Sequence, residues 1–327
     1  MRIVTVLLAT LAGLALASLA LGDVTIPVHE LTRAIVNPAA ASPDTQVILL
    51  ELRLPRALLS LLVGMALAVA GTVAQTVMRN PLAEPGILGI NAGAALAATL
   101  LIVALPGAPT TLLPWASFAG AGAMATAIYT LSWRNGTSSL RIILIGIGLS
   151  SLTGAVTTLL TAFGDIRDVQ RAMIWLAGSV YDADWSKVRL LALWLSGPLA
   201  LIWLGARELD LIRFRDDAAR SLGQRVNLMR GLTILLCTLI SGAAVAAAGL
   251  IGFVGLIAPH LARRLVGPAH IRLIPVAALT GGVLVMAADL LGRTVIAPAQ
   301  LPAGLVTALI GAPFLGYLLW GRRHVPA

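Results

Sequence analysis

The chain has 327 residues, 58% of them hydrophobic and only 11% charged, a balance that excludes most water-soluble folds. A membrane span takes about 20 mostly apolar residues, so ten spans would use roughly 200 positions and leave no room for a separate soluble domain. The formal charge is +9, from 23 basic and 14 acidic residues. The basic residues are scattered at the ends of apolar runs, a pattern that orients helices and does not make a nucleic-acid surface.

The first apolar run, Ile3 to Leu21, follows Met1-Arg2. Ser18-Leu19-Ala20 resembles a small-x-small cleavage site, but 19 residues exceed the usual signal core, so the run reads as a retained first helix. Further spans are predicted near 54–77, 86–105, 110–132, 140–162, 190–206, 271–291 and 301–320. They are divided by breakers such as Arg79-Asn80-Pro81, Pro106-Gly107-Ala108-Pro109 and Arg134-Asn135-Gly136. Gly231 to Gly267 carries no charge until Arg263, which fits either one long tilted helix or two short spans meeting around Gly249, Gly252 and Gly255. Arginines flank this stretch on both sides, six in 207–230 and then Arg263, Arg264 and Arg272. The positive-inside rule puts both flanks in the cytoplasm and so requires two crossings. The fold class is therefore an all-α polytopic membrane protein of about ten transmembrane helices with both termini inside. Of the 23 basic residues, 15 fall inside and 8 outside, and Arg322 and Arg323 agree with that parity.

Residues 163–189 are too polar to span. Val169, Ala172, Met173 and Leu176 recur at helical spacing beside Trp175, Tyr181 and Trp185, which predicts an amphipathic helix at about 168–178 in the outer interface. Small residues around Gly64/Ala68 and Gly120/Met124 suit close helix packing. Cys237 sits in an apolar run and reads as a core residue.

No phosphate-cradling Gly-x-x-x-x-Gly-Lys-Ser/Thr loop is present, so the chain cannot bind and hydrolyse ATP in that way, and energy has to come from elsewhere. His29, His260, His270 and His324 lie far apart and have no metal-site spacing. Gly148-Leu149-Ser150-Ser151 lacks the final Gly of a nucleophile motif and reads as helix packing. Asp289 is the carboxylate well inside a span, where an unpaired charge would cost about 3 kcal/mol. Arg293, four residues on, suits an ion pair with it. An ion-coupled secondary transporter would have to rely on Asp289 or Glu84. In the long loop after the sixth span, Arg215 to Gly223 predicts a short helix with acids in front and Gly at its end; Ala218, Ala219 and Leu222 form a small apolar face. Such a helix fits either groove docking or a solvated loop.

Several segments together resemble the permease subunits of the large ABC importers for iron chelates, heme and vitamin B12, the iron-siderophore permease family. They are Arg53-Leu54-Pro55-Arg56, Arg79 through Gly89, Gly249 through His260, Leu301-Pro302-Ala303-Gly304 and Gly311-Ala312-Pro313. The similarity runs almost end to end. It is greatest to the D-type permeases of ferric citrate importers, in Leu67-Ala68-Val69-Ala70-Gly71, Ile174 through Ser179 and Arg207 through Leu211.

The resemblance implies a type II ABC importer permease fold, one transmembrane domain over 1–327 with a cytoplasmic coupling segment at 207–230. It implies import of a ferric chelate from periplasm to cytoplasm across a bacterial inner membrane, with heme or vitamin B12 as the alternative cargo. The chain would hold no cofactor, with ATP and Mg on a partner ATPase dimer. A sister permease, forming a heterodimer or otherwise a homodimer, a periplasmic binding protein and membrane lipid would complete the assembly. By the same resemblance, Asp216, Asp217, Ala218, Ala219, Leu222 and Gly223 would form the coupling helix on the ATPase. Arg53, Arg56 and Arg293 would dock glutamates of the binding protein, which Arg does better than Lys. Ser138 and Ser139, beside Arg141, would lie at the cytoplasmic gate. Gln75, Asn80 and Asn91 would line the path or else pack helices.

Overall fold

A computed structural model describes residues 2–22, 24–36, 42–105, 107–134 and 136–321. Arg322, Arg323 and His324, with the breaker residues Pro106 and Asn135, lie outside the described residues. Helices joined by short irregular segments make up the described residues. First come α1 (Arg2–Ala20) and a short amphipathic helix, α2 (Val28–Val36), which the sequence reading did not anticipate. Next, α3 (Pro43–Gln46) passes through a π-helical stretch (Val47–Arg53) into α4 (Leu54–Val77), making one apolar helix of 35 residues. Then follow α5 (Ile90–Thr99), prolonged by π-helical Leu100–Ala104, α6 (Leu113–Leu131), α7 (Ser139–Phe163) and α8 (Ile166–Leu176). After them come α9 (Trp185–Leu204), α10 (Ala206–Ile212), α11 (Asp216–Ser221), α12 (Val226–Ala248), α13 (Val254–Val266), α14 (His270–Thr294) and α15 (Ala303–Gly321).

Among the described residues, eight helices are long and apolar enough to cross a bilayer. The ten expected spans are these eight and two shorter passages. Ile90–Ala104 is a shorter apolar helix of 15 residues, about 22 Å at 1.5 Å per residue. The other short passage resolves the ambiguous stretch. α12 ends at Gly249, which adopts φ +71° with its backbone against Trp175 at the end of α8 and Gly178 just after it. The chain then runs without helix to Phe253 before α13 starts beside α4. Non-helical backbone at this depth requires protein on every side. The Ser179 N–H donates to the Ala248 carbonyl at 2.7 Å, and the Gly304 N–H donates to the Gly178 carbonyl at 2.9 Å. Phe253 itself takes a left-handed φ of +66°, and its ring lies where a side chain on Gly311 would have to go. The interfacial helix forms over Ile166–Leu176, two residues earlier than expected, because Asp165 accepts the Arg167 N–H at 2.9 Å and caps it there.

α4 is the axis of the bundle, buried from Leu59 through Val77 on nearly every face, with α12, α13 and α14 packed around it. Small residues permit this. A side-chain carbon on Gly64 would overlap the Gly281 backbone of α14, and one on Gly71 would overlap Gly255 of α13. Gly71→Leu is therefore expected to lower the stability of the detergent-purified protein by about 3 kcal/mol, seen as a drop in the thermal midpoint. An unchanged midpoint would show that α4 and α13 are not in contact there. Cys237 fills the same core, its thiol 3.4 Å from the Ala70 carbonyl. In contrast, α7 buries only Ile142 and Gly146 and turns Leu144, Ile147, Leu152 and Leu159 outward.

Candidate functional site

At one end of the bundle the loop between α9 and α12 folds back on the helix ends. α11 is six residues long, opened by Asp216 and Asp217 in its first turn, where they favour the helix dipole. It is closed by Gly223 at φ +85°, with the Gly223 N–H donating to the Arg220 carbonyl and the Gln224 N–H to the Ala219 carbonyl. This is the paired C-terminal motif that suits glycine. The rotation of the helix differs from the expected apolar face in one respect. Ala219 is fully buried and points into the chain, whereas Ala218 and Leu222 point out. Leu222 is 61% exposed, and Phe214 joins it at 53%. Around them stand exposed Arg213, Arg215, Asp217 and Arg220. The apolar face available to a partner is thus Phe214, Ala218 and Leu222, with Ala219 serving as its anchor.

The segment is pinned to the bundle by polar contacts that sequence reasoning missed. Gln224 Nε2 donates to both the Glu208 carbonyl and its carboxylate at 2.9 Å. Asp210 accepts from the His270 backbone N–H at 3.2 Å and meets His270 Nδ1 at 2.6 Å, while His270 Nε2 lies 2.7 Å from Thr76 Oγ1 of α4. Asp216 Oδ1 receives the guanidinium groups of Arg79 and Arg230, the latter at 2.8 Å. Burial raises the Asp216 carboxyl, but the hydrogen bonds and charges of Arg79 and Arg230 outweigh it and hold the group below the ordinary carboxylate range.

Ser138 and Ser139 lie at this same end. Ser138 caps α7 by accepting the Arg141 N–H at 3.3 Å, and Ser139 Oγ donates to the Val77 carbonyl at 2.8 Å. Of the three amides expected to line a path or else to pack helices, Gln75 makes packing contacts in this structure. It is 3% exposed, donates toward the Gly255 and Leu256 carbonyls at 3.3 and 3.4 Å, and accepts from Arg263 at 3.0 Å. Asn80 closes a turn by accepting the Leu82 N–H at 2.9 Å. Asn91 is half-buried in α5, beside Gly86.

At the opposite end Arg53, Arg56 and Arg293, expected to dock a binding protein, find partners within the chain. They are 7%, 8% and 3% exposed, so in this conformation their guanidinium groups face the chain's own interior. Arg56 forks onto Asp289, with contacts of 3.0 and 3.1 Å from Nε and 2.8 Å from Nη2, while Nη1 donates to Gln300 at 2.9 Å. It also stacks over the Tyr181 ring, 5.4 Å from the centroid. Arg293 donates to the Ser18 carbonyl at 2.8 Å and to the Ser18 hydroxyl, with its Nε 3.8 Å from Asp289. The anticipated pair within α14 is therefore mainly a pair between α14 and α4. Arg53 caps α1 through the Leu19 and Ala20 carbonyls at 2.6 and 3.1 Å. Together the three arginines staple α1, α4 and α14. With two guanidinium groups around it, Asp289 serves as the structural partner of α4 and α14 arginines.

Residues 6–321 match the model of the FecCD transport family. The chain belongs to that family. This FecCD protein is 40% identical over 329 residues to the Fe(3+) dicitrate transport system permease protein FecD of Escherichia coli, covering 99% of this chain and 100% of the relative. It is 42% identical over 281 residues to the iron(3+)-hydroxamate import system permease protein FhuG of Bacillus subtilis, covering 84% of each. Among solved structures, a metal-chelate type ABC transporter in an inward-facing conformation superposes with a TM-score of 0.88 at 31% identity, over 98% of this chain and 99% of that one. The FecCD chain is thus a permease, a transport subunit of an ABC importer, and ATP hydrolysis belongs to a separate ATPase.

Proposed function

We propose that this permease carries a ferric chelate, ferric citrate or another iron-siderophore, from the periplasm to the cytoplasm of a bacterium. The observation that carries the reading of its mechanism is the α11 face, on which Phe214, Ala218 and Leu222 stand exposed among charges on a segment otherwise pinned down. A small apolar patch with a charged rim suits a groove on a soluble partner. The partner we assign is an ABC ATPase dimer holding ATP and Mg. By the positive-inside rule we assign the end bearing α11, and with it both termini, to the cytoplasmic side of the inner membrane. Residues 1–327 then act as one permease domain with 207–230 as its coupling segment. Ser138 and Ser139, at the cytoplasmic start of α7, are placed at the gate, with Asn80 and Asn91 near the path. The outward-facing apolar side of α7 suits a sister permease, as a heterodimer. A periplasmic binding protein would deliver cargo to the opposite face, where Arg53, Arg56 and Arg293 shape the surface from below.

Relatives at 42% and 40% identity are named for iron(3+)-hydroxamate and Fe(3+) dicitrate respectively. A hemin permease at 39% stands almost level with them, so the majority of iron-chelate relatives supports the ferric chelate as a class and the cargo is left to experiment. Cells with and without the gene would be given radiolabelled iron as citrate and as two unrelated siderophores. Loss of uptake with one chelate is the expected result and names the cargo. Undiminished uptake of all three, with hemin or a corrinoid lost instead, would overturn the ferric reading.

A further inference from the structure

We propose that Arg230 is a positioning residue that ties the coupling helix to the start of α7, through a continuous Asp216–Arg230–Thr137 contact. The proposal rests on the reading of α11 as the ATPase-docking element and adds to it a route by which docking reaches the pore-side helices.

Arg230 sits in the second turn of α12 and is 1% exposed, the foremost of the large fully buried side chains. One of its terminal nitrogens donates to Asp216 Oδ1 at 2.8 Å, the first residue of α11. The other donates to the Thr137 carbonyl at 2.6 Å and approaches the Thr137 hydroxyl at 3.4 Å. Thr137 immediately precedes Ser138, the cap of α7. One planar group therefore spans two segments that have no other contact through it, and its third nitrogen, Nε, is buried without a hydrogen-bond partner.

Stability alone does not account for this arrangement. Desolvating a guanidinium is costly, and an apolar side chain of similar volume would commonly hold the same space as well or better. A rigid, charge-assisted fork does something that an apolar side chain cannot, because its bonds are directional and short. A displacement of α11 of an ångström or more has to break a bond to Arg230 or move the loop that begins α7. That loop is itself held, with Gly136 and Thr137 buried and Ser139 bonded to the Val77 carbonyl, so a shift at Arg230 is passed on to the start of α7. Arg79 is the control. It shares Asp216 Oδ1 and also donates to the Ile212 carbonyl at 3.1 Å, so it anchors α11 to the end of α4 and makes no hydrogen bond of its own to the loop before α7, which meets α4 separately through Ser139 on the Val77 carbonyl.

The test uses the complete transporter, with ATPase and binding protein, in proteoliposomes, measuring cargo moved per ATP hydrolysed. Arg230→Met is expected to leave the ATPase co-purifying and its hydrolysis within about twofold of wild type, while cargo per ATP falls about tenfold. Arg79→Met should change that ratio less than threefold. If Arg230→Met does not accumulate, Arg230→Gln replaces it, since its amide fills the site and bonds one acceptor but cannot bridge two. A ratio unchanged in the accumulating variant, or lowered equally by Arg79→Met, overturns the proposal. Leu222→Glu is run in parallel. ATPase that still co-purifies with that variant would overturn the docking reading itself and the proposal with it, whereas lost co-purification together with an unchanged Arg230 ratio rejects the proposal alone.

Discussion

Asp289→Ala is expected to destabilise the permease by about 3 to 5 kcal/mol, the cost of removing one partner from a buried ion pair and leaving the other charge unpaired. Here the loss strands two guanidinium groups, because Asp289 faces Arg56 at 2.8 Å and Arg293 at 3.8 Å, and both arginines are less than a tenth exposed. The measurement is the thermal midpoint of the detergent-solubilised chain. Asp289→Ala should show a large drop, and the triple variant Asp289→Leu, Arg56→Met, Arg293→Met should recover most of it, since no buried charge is left behind. Ser18 would lose a donor in the triple variant, so recovery is expected to be incomplete. If Asp289→Ala melts within about 1 kcal/mol of wild type, a scale on which surface substitutions usually fall, the staple of α1, α4 and α14 is not what holds that end together.

This cluster also shows where the sequence stops being legible. That Asp289 needs a positive partner follows from its place in an apolar span, and Arg293 at the fourth position was the local solution. The dominant partner lies 233 residues away, on α4. A sequence alone shows Arg53 and Arg56 as charges on the sparsely basic side, and surface binding is a natural use for such charges. Only the packing reveals that α1 ends beside Arg53 and presents the Leu19 and Ala20 carbonyls to it.

The fold was more legible, because its signals are local. Apolar run length, Gly and Pro breakers and the distribution of arginines predicted about ten passages; among the described residues eight long apolar helices and the shorter Ile90–Ala104 occupy nine of those places, and the 13-residue α13 lies in the tenth. Charge on both flanks of Gly231 to Gly267 demanded two crossings. It could not show that part of the second is non-helical backbone, since Gly249 and Phe253 depend on contacts with the segments after α8 and in α15. In the coupling segment, Gly223 and the leading acids announced a short helix. Its rotation was set from outside, by Arg79 from 137 residues away and by Gln224 on Glu208, so Ala219 turned inward and Phe214 was overlooked.

Leu222→Glu follows from that rotation and is expected to abolish transport while leaving the permease intact. The side chain is 61% exposed and makes no contribution to the core, so a charge there costs the fold little. On the proposed ATPase surface the same charge would enter an apolar groove at the centre of the contact. Loss of such an anchor is worth about 3 kcal/mol, on the order of a hundredfold in affinity. Phe214→Glu should act in the same direction, and Asp217→Asn, on the charged rim, should have a much smaller effect. The check is paired: the thermal midpoint of the isolated permease, and co-purification of the ATPase with uptake of the iron chelate. An unchanged midpoint with ATPase and uptake both lost is the expected pattern. Full uptake by Leu222→Glu would place the docking surface elsewhere, because no other role of this side chain in the structure would make a charge so well tolerated and docking so indifferent to it.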